Sequence, residues 1–213
     1  MSSRSVTGEF DSVKTRLRHG SESTLEFDFF YHLDFDPLVK TFEEQPLSID
    51  FINDQGKKSK YTPDVKVVYT NKGVIEKGIK FSLIEIKYTS EVEEFREKSA
   101  RKIEAAERYC KAKGGRFEIV DEQMVRTTRW ENYKFLHRYL DPSGAPKVKL
   151  DLLRLAHELK VFTANTWIDR IEGSKLLKGQ ALSNLWHLVA SRQLVADFDK
   201  PVNMISEIKF PEN

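Results

Sequence analysis

The sequence predicts an α/β protein, with a mixed sheet flanked by helices and a small C-terminal domain that closes on a hairpin. Three observations carry that expectation. From Ser23 to Leu140 the apolar pattern switches between period 3.6 and period 2 in the order αβββαβα, which calls for one sheet with helices packed on it. Asp141-Pro142-Ser143-Gly144-Ala145-Pro146 is the clearest linker in the chain. Beyond it come helical stripes and then two apolar runs around Asp199-Lys200-Pro201-Val202-Asn203, a hairpin pattern. Two domains follow, residues 1–146 and 147–213.

The elements can be justified in order. Residues 1–20 are polar and bring Lys14, Arg16, Arg18 and His19 close together, which reads as a solvated arm or as a set of phosphate contacts. Ser23 and Glu26 have capping-box spacing, and Leu25, Phe29 and Leu33 make the stripe of a first helix. Pro37 ends it, because proline disfavours helical geometry in the preceding residue. Leu47 to Ile52 alternates as a strand, Asn53-Asp54-Gln55-Gly56 turns, and a second strand is expected from about Tyr61 to Tyr69. Asn71 to Lys80 reads as a loop or distorted hairpin. Phe81 to Tyr88 is nearly continuously apolar, as a central strand would be. Residues 91–113 place Val92, Phe95, Ile103, Ala106 and Cys110 on one helical face, with Gly114-Gly115 as the stop. Phe117 to Val120 is a short strand, and Asn132 to Leu140 is a helix. After the linker, Leu152, Leu155, Ala156 and Leu159 mark one helix, and Leu182, Leu185, Trp186 and Val189 mark another. Helices ending in a hairpin look like a winged helix, with Trp167 and Trp186 in its core.

Composition bounds the function. The chain has 213 residues with 39% apolar and 32% charged, a globular balance. Its formal net charge of +2 excludes a polycation, so any nucleic-acid surface must be local. The single cysteine, Cys110, fits a reducing compartment and cannot build a cysteine-rich zinc site, and the five histidines are scattered. No apolar run approaches the roughly 20 residues of a membrane span, and Met1-Ser2-Ser3-Arg4 lacks the apolar core of a signal peptide. A cytoplasmic protein with no membrane association is expected.

The informative chemistry lies in Tyr61-Thr62-Pro63-Asp64 and, twenty-one positions after Asp64, Glu85-Ile86-Lys87. Side chains alternate along a strand, so Glu85 and Lys87 face one way and Ile84 and Ile86 the other. If the two strands pair, Asp64 and Glu85 converge. Converging carboxylates repel, and a cation relieves the repulsion. Oxygen-only ligands suit Mg²⁺ or Mn²⁺, and a neighbouring lysine can position a water or neutralise charge on a phosphate. The plainer reading makes Asp64 a turn residue and Glu85–Lys87 a surface ion pair. A charged pair set among Leu83, Ile84 and Ile86 is costly without a purpose. Glu26 has two competing readings, as the carboxylate of its own capping box or as a third acid at the metal, and Glu22 is the alternative outer acid. Lys98, Arg101 and Lys102 read as a solvated helix face paired with nearby glutamates.

At this point the residues match a known family. The chain resembles the TnsA endonucleases, the subunit of heteromeric transposases that nicks the 5′ side of each transposon end. The resemblance runs through residues 7–14, 22–28 and 33–37, Phe42-Glu43-Glu44-Gln45-Pro46, Tyr61-Thr62-Pro63-Asp64, Ile84-Glu85-Ile86-Lys87, Arg126-Thr127 and residues 131–136. It implies the restriction-endonuclease-like fold and a smaller C-terminal domain for partner binding. Carried over by position, it implies catalytic roles for Glu26, Asp64, Glu85 and Lys87, with Asp64, Glu85 and Glu26 at Mg²⁺ or Mn²⁺. Phe27 stands where the family often has an arginine. It further implies hydrolysis of the 5′ strand at transposon ends, in company with a DDE-type transposase and a regulatory ATPase. A repair or junction-resolving nuclease of the same fold, and a non-catalytic scaffold between DNA and the ATPase, are the rival readings. Lys14, Arg16 and Arg18 are the candidate nucleic-acid contacts.

Overall fold

A computed structural model describes residues 8–141, 146–173 and 175–211, and for residues 146–149 it describes the backbone alone. The chain divides into one unit ending at Arg126 and another beginning at Thr127. The first starts with a hairpin, β1 (Gly8–Asp11) and β2 (Arg18–Ser21), then α1 (Thr24–Phe35), β3 (Val39–Glu44), β4 (Ile49–Ile52), β5 (Lys58–Tyr61), β6 (Val65–Tyr69) and α2 (Asn71–Lys77). It continues with β7 (Phe81–Ile86), α3 (Thr89–Lys98), α4 (Ala100–Lys113), β8 (Gly115–Val120) and α5 (Glu122–Val125). The main sheet has the order β3-β6-β7-β8. Its first three strands are antiparallel and β8 runs parallel to β7. This is the expected mixed sheet flanked by helices.

β7 is central, and all six of its residues are buried. Its alternate side chains feed two cores. Ile84 and Ile86 pack with Phe29, Phe30 and Leu33 of α1 and with Val65 and Val67 of β6. Phe81 and Leu83 pack with Ala105, Ala106 and Cys110 of α4 and with Ile49, Phe51 and Tyr61 of the β4–β5 hairpin. A strand covered on both faces reads as continuously apolar, so a charged side chain on it stands out.

Several elements differ from the sequence expectation. The stretch from Tyr61 to Tyr69 is not one strand: β5 ends at Tyr61, the chain turns through Pro63 and Asp64, and β6 starts at Val65. Residues 71–77 are helical, capped by the Thr70 side chain accepting from Gly73 N–H and closed by Gly78 at φ 70°. Seven residues are too few to show a stripe. Gly73 lies inside this helix because a Cβ there would meet the Leu38 carbonyl oxygen at 2.6 Å. The expected single helix over 91–113 breaks at Ser99 into α3 and α4. The polar N-terminal segment carries a hairpin, and β3 adds an edge strand that its mixed polarity concealed.

The second unit holds α6 (Thr128–His137), α7 (Pro146–Leu159), β9 (Val161–Phe162), α8 (Ala164–Asp169), α9 (Lys175–Ala190), β10 (Val195–Ala196) and β11 (Ile208–Lys209). Its three short strands pair antiparallel in the order β10-β11-β9. Trp167 and Trp186 are buried in it, as expected. The division falls between 126 and 127, whereas the sequence placed it at the linker, of which residues 142–145 lie outside the described residues. The reason is Asn132 of α6. Its buried amide donates to the carbonyls of Phe198 and Lys200, each at 2.9 Å, and accepts from Val202 N–H at 2.8 Å. Those bonds tie α6 to the C-terminal segment.

Candidate active site

The site grows out of the β6–β7 register. Val65 pairs with Ile84, and one step further along the same register sets Asp64 opposite Glu85. The turn at Pro63 brings Asp64 in at the end of the strand, and its backbone carbonyl accepts from Gln45 N–H at 2.8 Å. The Asp64 carboxylate accepts from the Ile86 backbone N–H at 2.7 Å, which fixes it against β7. Glu85 is only 5% exposed. One of its oxygens accepts from the Tyr61 hydroxyl at 2.6 Å, and the other is 2.8 Å from the Lys87 ammonium.

Lys87 joins the two acids. Its Nζ is 3.8 Å from Asp64 Oδ2, donates to the Ile86 carbonyl at 3.1 Å, and lies 5.3 Å from the centre of the Phe95 ring on α3. Its backbone N–H donates to Val120 O at 3.0 Å, so β8 holds the strand end in place. The electrostatics follow. Burial, reinforced by the charge of Glu85, pushes the Asp64 carboxyl up to about 7, against the pull of Lys87 and the Ile86 N–H. Burial works to lower the Lys87 ammonium, but Asp64 and Glu85 outweigh it and hold the group above its ordinary value. Burial, with Glu85 close by, raises the Tyr61 phenol.

An acid that resists ionisation beside a second acid suits a divalent cation, which stabilises both charges. Among the described residues no group of three His, Cys, Asp or Glu side chains is placed to hold a metal. Two carboxylates nevertheless fit Mg²⁺, which is commonly bound through one or two and keeps several waters.

The other site residues named from sequence lie apart from this cluster. Glu26 is engaged at the start of α1, where its carboxylate accepts from Glu22 N–H and from the Ser23 hydroxyl, both at 2.9 Å. Its own N–H donates to Ser23 Oγ at 3.1 Å, so Ser23 caps the helix while the Glu26 carboxylate reaches the N–H one residue before the cap. Its charge is still felt by Asp64 and Lys87. Glu22 Oε1 accepts from the Gln45 side chain at 2.8 Å. Lys14 serves the fold: its ammonium donates to Leu33 O at 2.6 Å and Asp36 O at 2.5 Å, the carbonyls at the end of α1. Burial lowers it to about 8 although Asp36 and Asp34 oppose the shift. Arg18 pairs with Asp11 at 2.8 Å and Glu9 at 3.0 Å, and Arg16 sits exposed in the hairpin turn at φ 59°. Sequence reasoning gave no role to Tyr61 or Phe95. Tyr61 marked only the start of a strand and Phe95 sat on a helical face, and nothing in a periodic pattern tells a core ring from one that touches a functional group.

Asp64 just before β6, Glu85 on β7 and Lys87 just after it set two carboxylates and a lysine together at the ends of the central strands of a mixed sheet, an architecture compatible with an endonuclease-like fold. Residues 36–122 match the family described as TnsA-like endonuclease N terminal, which bears out the resemblance to TnsA-type transposon endonucleases. The match spans Asp64, Glu85 and Lys87, and excludes Glu26 and the whole second unit. No curated protein matches the chain.

Proposed function

We propose that this protein hydrolyses the 5′ strand at transposon ends in cut-and-paste DNA transposition, with Asp64 and Glu85 holding Mg²⁺ or Mn²⁺ and Lys87 serving the attacking water. The observation that carries the reading is the position of Lys87, which reaches both acids from the strand that pairs with the start of β6, all within the TnsA-like segment. The cation, when bound, supplies Lewis-acid stabilisation of the phosphate and an oriented water. The chain supplies the rest. Ile86 N–H aims Asp64, Tyr61 aims Glu85, and the Lys87 ammonium neutralises charge that develops on the phosphate. Glu26 assists from the outer side through its field or a bridging water.

The proposed partners are a DDE-type transposase, which joins the other strand, and a regulatory ATPase. The near-neutral net charge supports a subunit delivered to DNA by other proteins rather than by many phosphate contacts of its own. For the second unit we favour a winged-helix-like module. The order α7-β9-α8-α9-β10-β11 and the sheet order β10-β11-β9 support it. The first turn of α9 exposes Leu176 and Leu177, which favours a protein partner over a phosphate backbone. The proposed place of action is the cytoplasm, on nucleoid DNA. Among the described residues no helix is long and apolar enough to cross a membrane.

The test is strand-specific cleavage in a reconstituted transposition reaction. Asp64→Ala and Lys87→Ala are each expected to abolish 5′-strand cutting with the thermal transition retained. Normal 5′-strand cutting by both variants refutes the assignment.

A further inference from the structure

We propose that Tyr61 is a positioning residue that sets the divalent-cation affinity and selectivity of the site through the orientation of Glu85, an inference that rests on reading Asp64 and Glu85 as the cation ligands. β5 ends at Tyr61 and β6 begins only at Val65. Because the chain turns at Pro63, Tyr61 and Asp64 lie in different strand environments although they are three residues apart. Tyr61 belongs to the α4-side core, where its ring meets Phe117 edge-on at 6.3 Å. Asp64 is fixed against the Ile86 N–H. The turn therefore brings a hydroxyl and a carboxylate to Glu85 from two sides.

At Glu85 the division of labour is specific. The Tyr61 hydroxyl holds Oε2 at 2.6 Å, and Oε1 is the oxygen on the Lys87 side, at 2.8 Å. With both residues about 5% exposed, water does not readily replace the hydroxyl. A carboxylate pinned at one oxygen offers the other to a cation in a single, monodentate direction. That suits Mg²⁺ and Mn²⁺, which take fixed octahedral positions. It disfavours Ca²⁺, which takes more oxygens and often binds a carboxylate through both. Removing the hydroxyl frees Glu85 to rotate, which weakens the small ion and admits the large one.

Manganese binding to the full chain, followed by electron paramagnetic resonance, tests this without any cleavage reaction. Tyr61→Phe keeps the ring and its packing. It is expected to weaken Mn²⁺ by about 10-fold, the usual effect of losing a ligand's supporting hydrogen bond, and to make Ca²⁺ a stronger competitor. A double-mutant cycle separates positioning from damage to the fold. In a Glu85→Ala background the same Tyr61→Phe change is expected to leave Mn²⁺ affinity unaltered. Two results overturn the proposal alone, given that Asp64→Ala abolishes Mn²⁺ binding: isotherms for Tyr61→Phe and wild type that superimpose, or an equal loss on adding Tyr61→Phe to Glu85→Ala. Should Asp64→Ala bind Mn²⁺ as wild type does, the cation site itself fails, and this inference with it.

Discussion

Replacing Asp64 by Asn is expected to make the protein more stable and inactive. The carboxyl is moved from 3.8 to about 7, mainly by burial and secondarily by Glu85. At 1.36 kcal/mol per tenfold change in the proton equilibrium, that shift corresponds to roughly 4 kcal/mol of folding free energy lost once both folded and unfolded groups are ionised. The Asp64 side chain is 22% exposed, and water and local relaxation weaken the effect, so about half, ~2 kcal/mol, is the expected gain. Asn keeps an acceptor for the Ile86 N–H, so no hydrogen bond is sacrificed. For a chain of this size each kcal/mol moves the midpoint by roughly 2–4 °C, giving about 4–8 °C. The sign with pH is fixed by linkage. The folded state holds the extra proton between 3.8 and about 7, so wild-type stability falls as pH rises through that window and stays low above it. Asn carries no titrating proton, so its advantage is absent near pH 4, grows to pH 7 and is then constant. Thermal scans with chelator at pH 4.5 and pH 8 measure it, and added Mg²⁺ narrows the gap by stabilising wild type alone. A variant that melts at or below wild type at pH 8, or whose advantage is the same at both pH values, refutes the picture of two acids held together against their repulsion.

Three further outcomes are expected. Gly115→Ala places a Cβ 2.4 Å from the Phe81 ring at the head of β8, so it should destabilise the first unit by ~2 kcal/mol in urea unfolding. Asn132→Ala removes three hydrogen bonds, two of them buried, from the second unit. It should lower the stability of that unit by about 2–4 kcal/mol, while hydrogen exchange at Val67 and Leu83 of the first unit stays unchanged. Glu26→Gln retains an acceptor for the Glu22 N–H and the Ser23 hydroxyl, so the melting midpoint should hold. Cleavage should drop by at least about 10-fold if the carboxylate assists the reaction, whereas unchanged cleavage would restrict Glu26 to the helix cap.

The charged pair was legible because β7 is covered on both faces. Glu85 and Lys87 are the only charges in an apolar run, so their types and spacing exposed them, and the register that β6 adopts brings Asp64 alongside. The helix cap at Ser23 was equally plain, for it is a local bond between residues three apart. What escaped depends on contacts distant in sequence. Lys14 looks like a free cation until α1 ends against it. β3 carries Lys40, Thr41, Glu43 and Glu44 on an edge, so no alternation marks it as a strand. α2 is held by Thr70 and by the close approach of Leu38 to Gly73, and α6 joins the second unit through Asn132, the Arg129–Asp199 pair and the rings of Tyr133 and Phe135; none of these causes is visible as a period. Tyr61 reaches Glu85 across twenty-four residues, a contact only the folded hairpin creates.

The most direct measurement maps DNA ends after reconstituted transposition with Mg²⁺, comparing wild type with Lys87→Met. With wild type both strands are predicted to be broken at each transposon end. With the variant, the 5′ strand is predicted to stay continuous while the partner transposase still cuts the other. A 5′ strand broken to the wild-type extent by Lys87→Met would contradict the account.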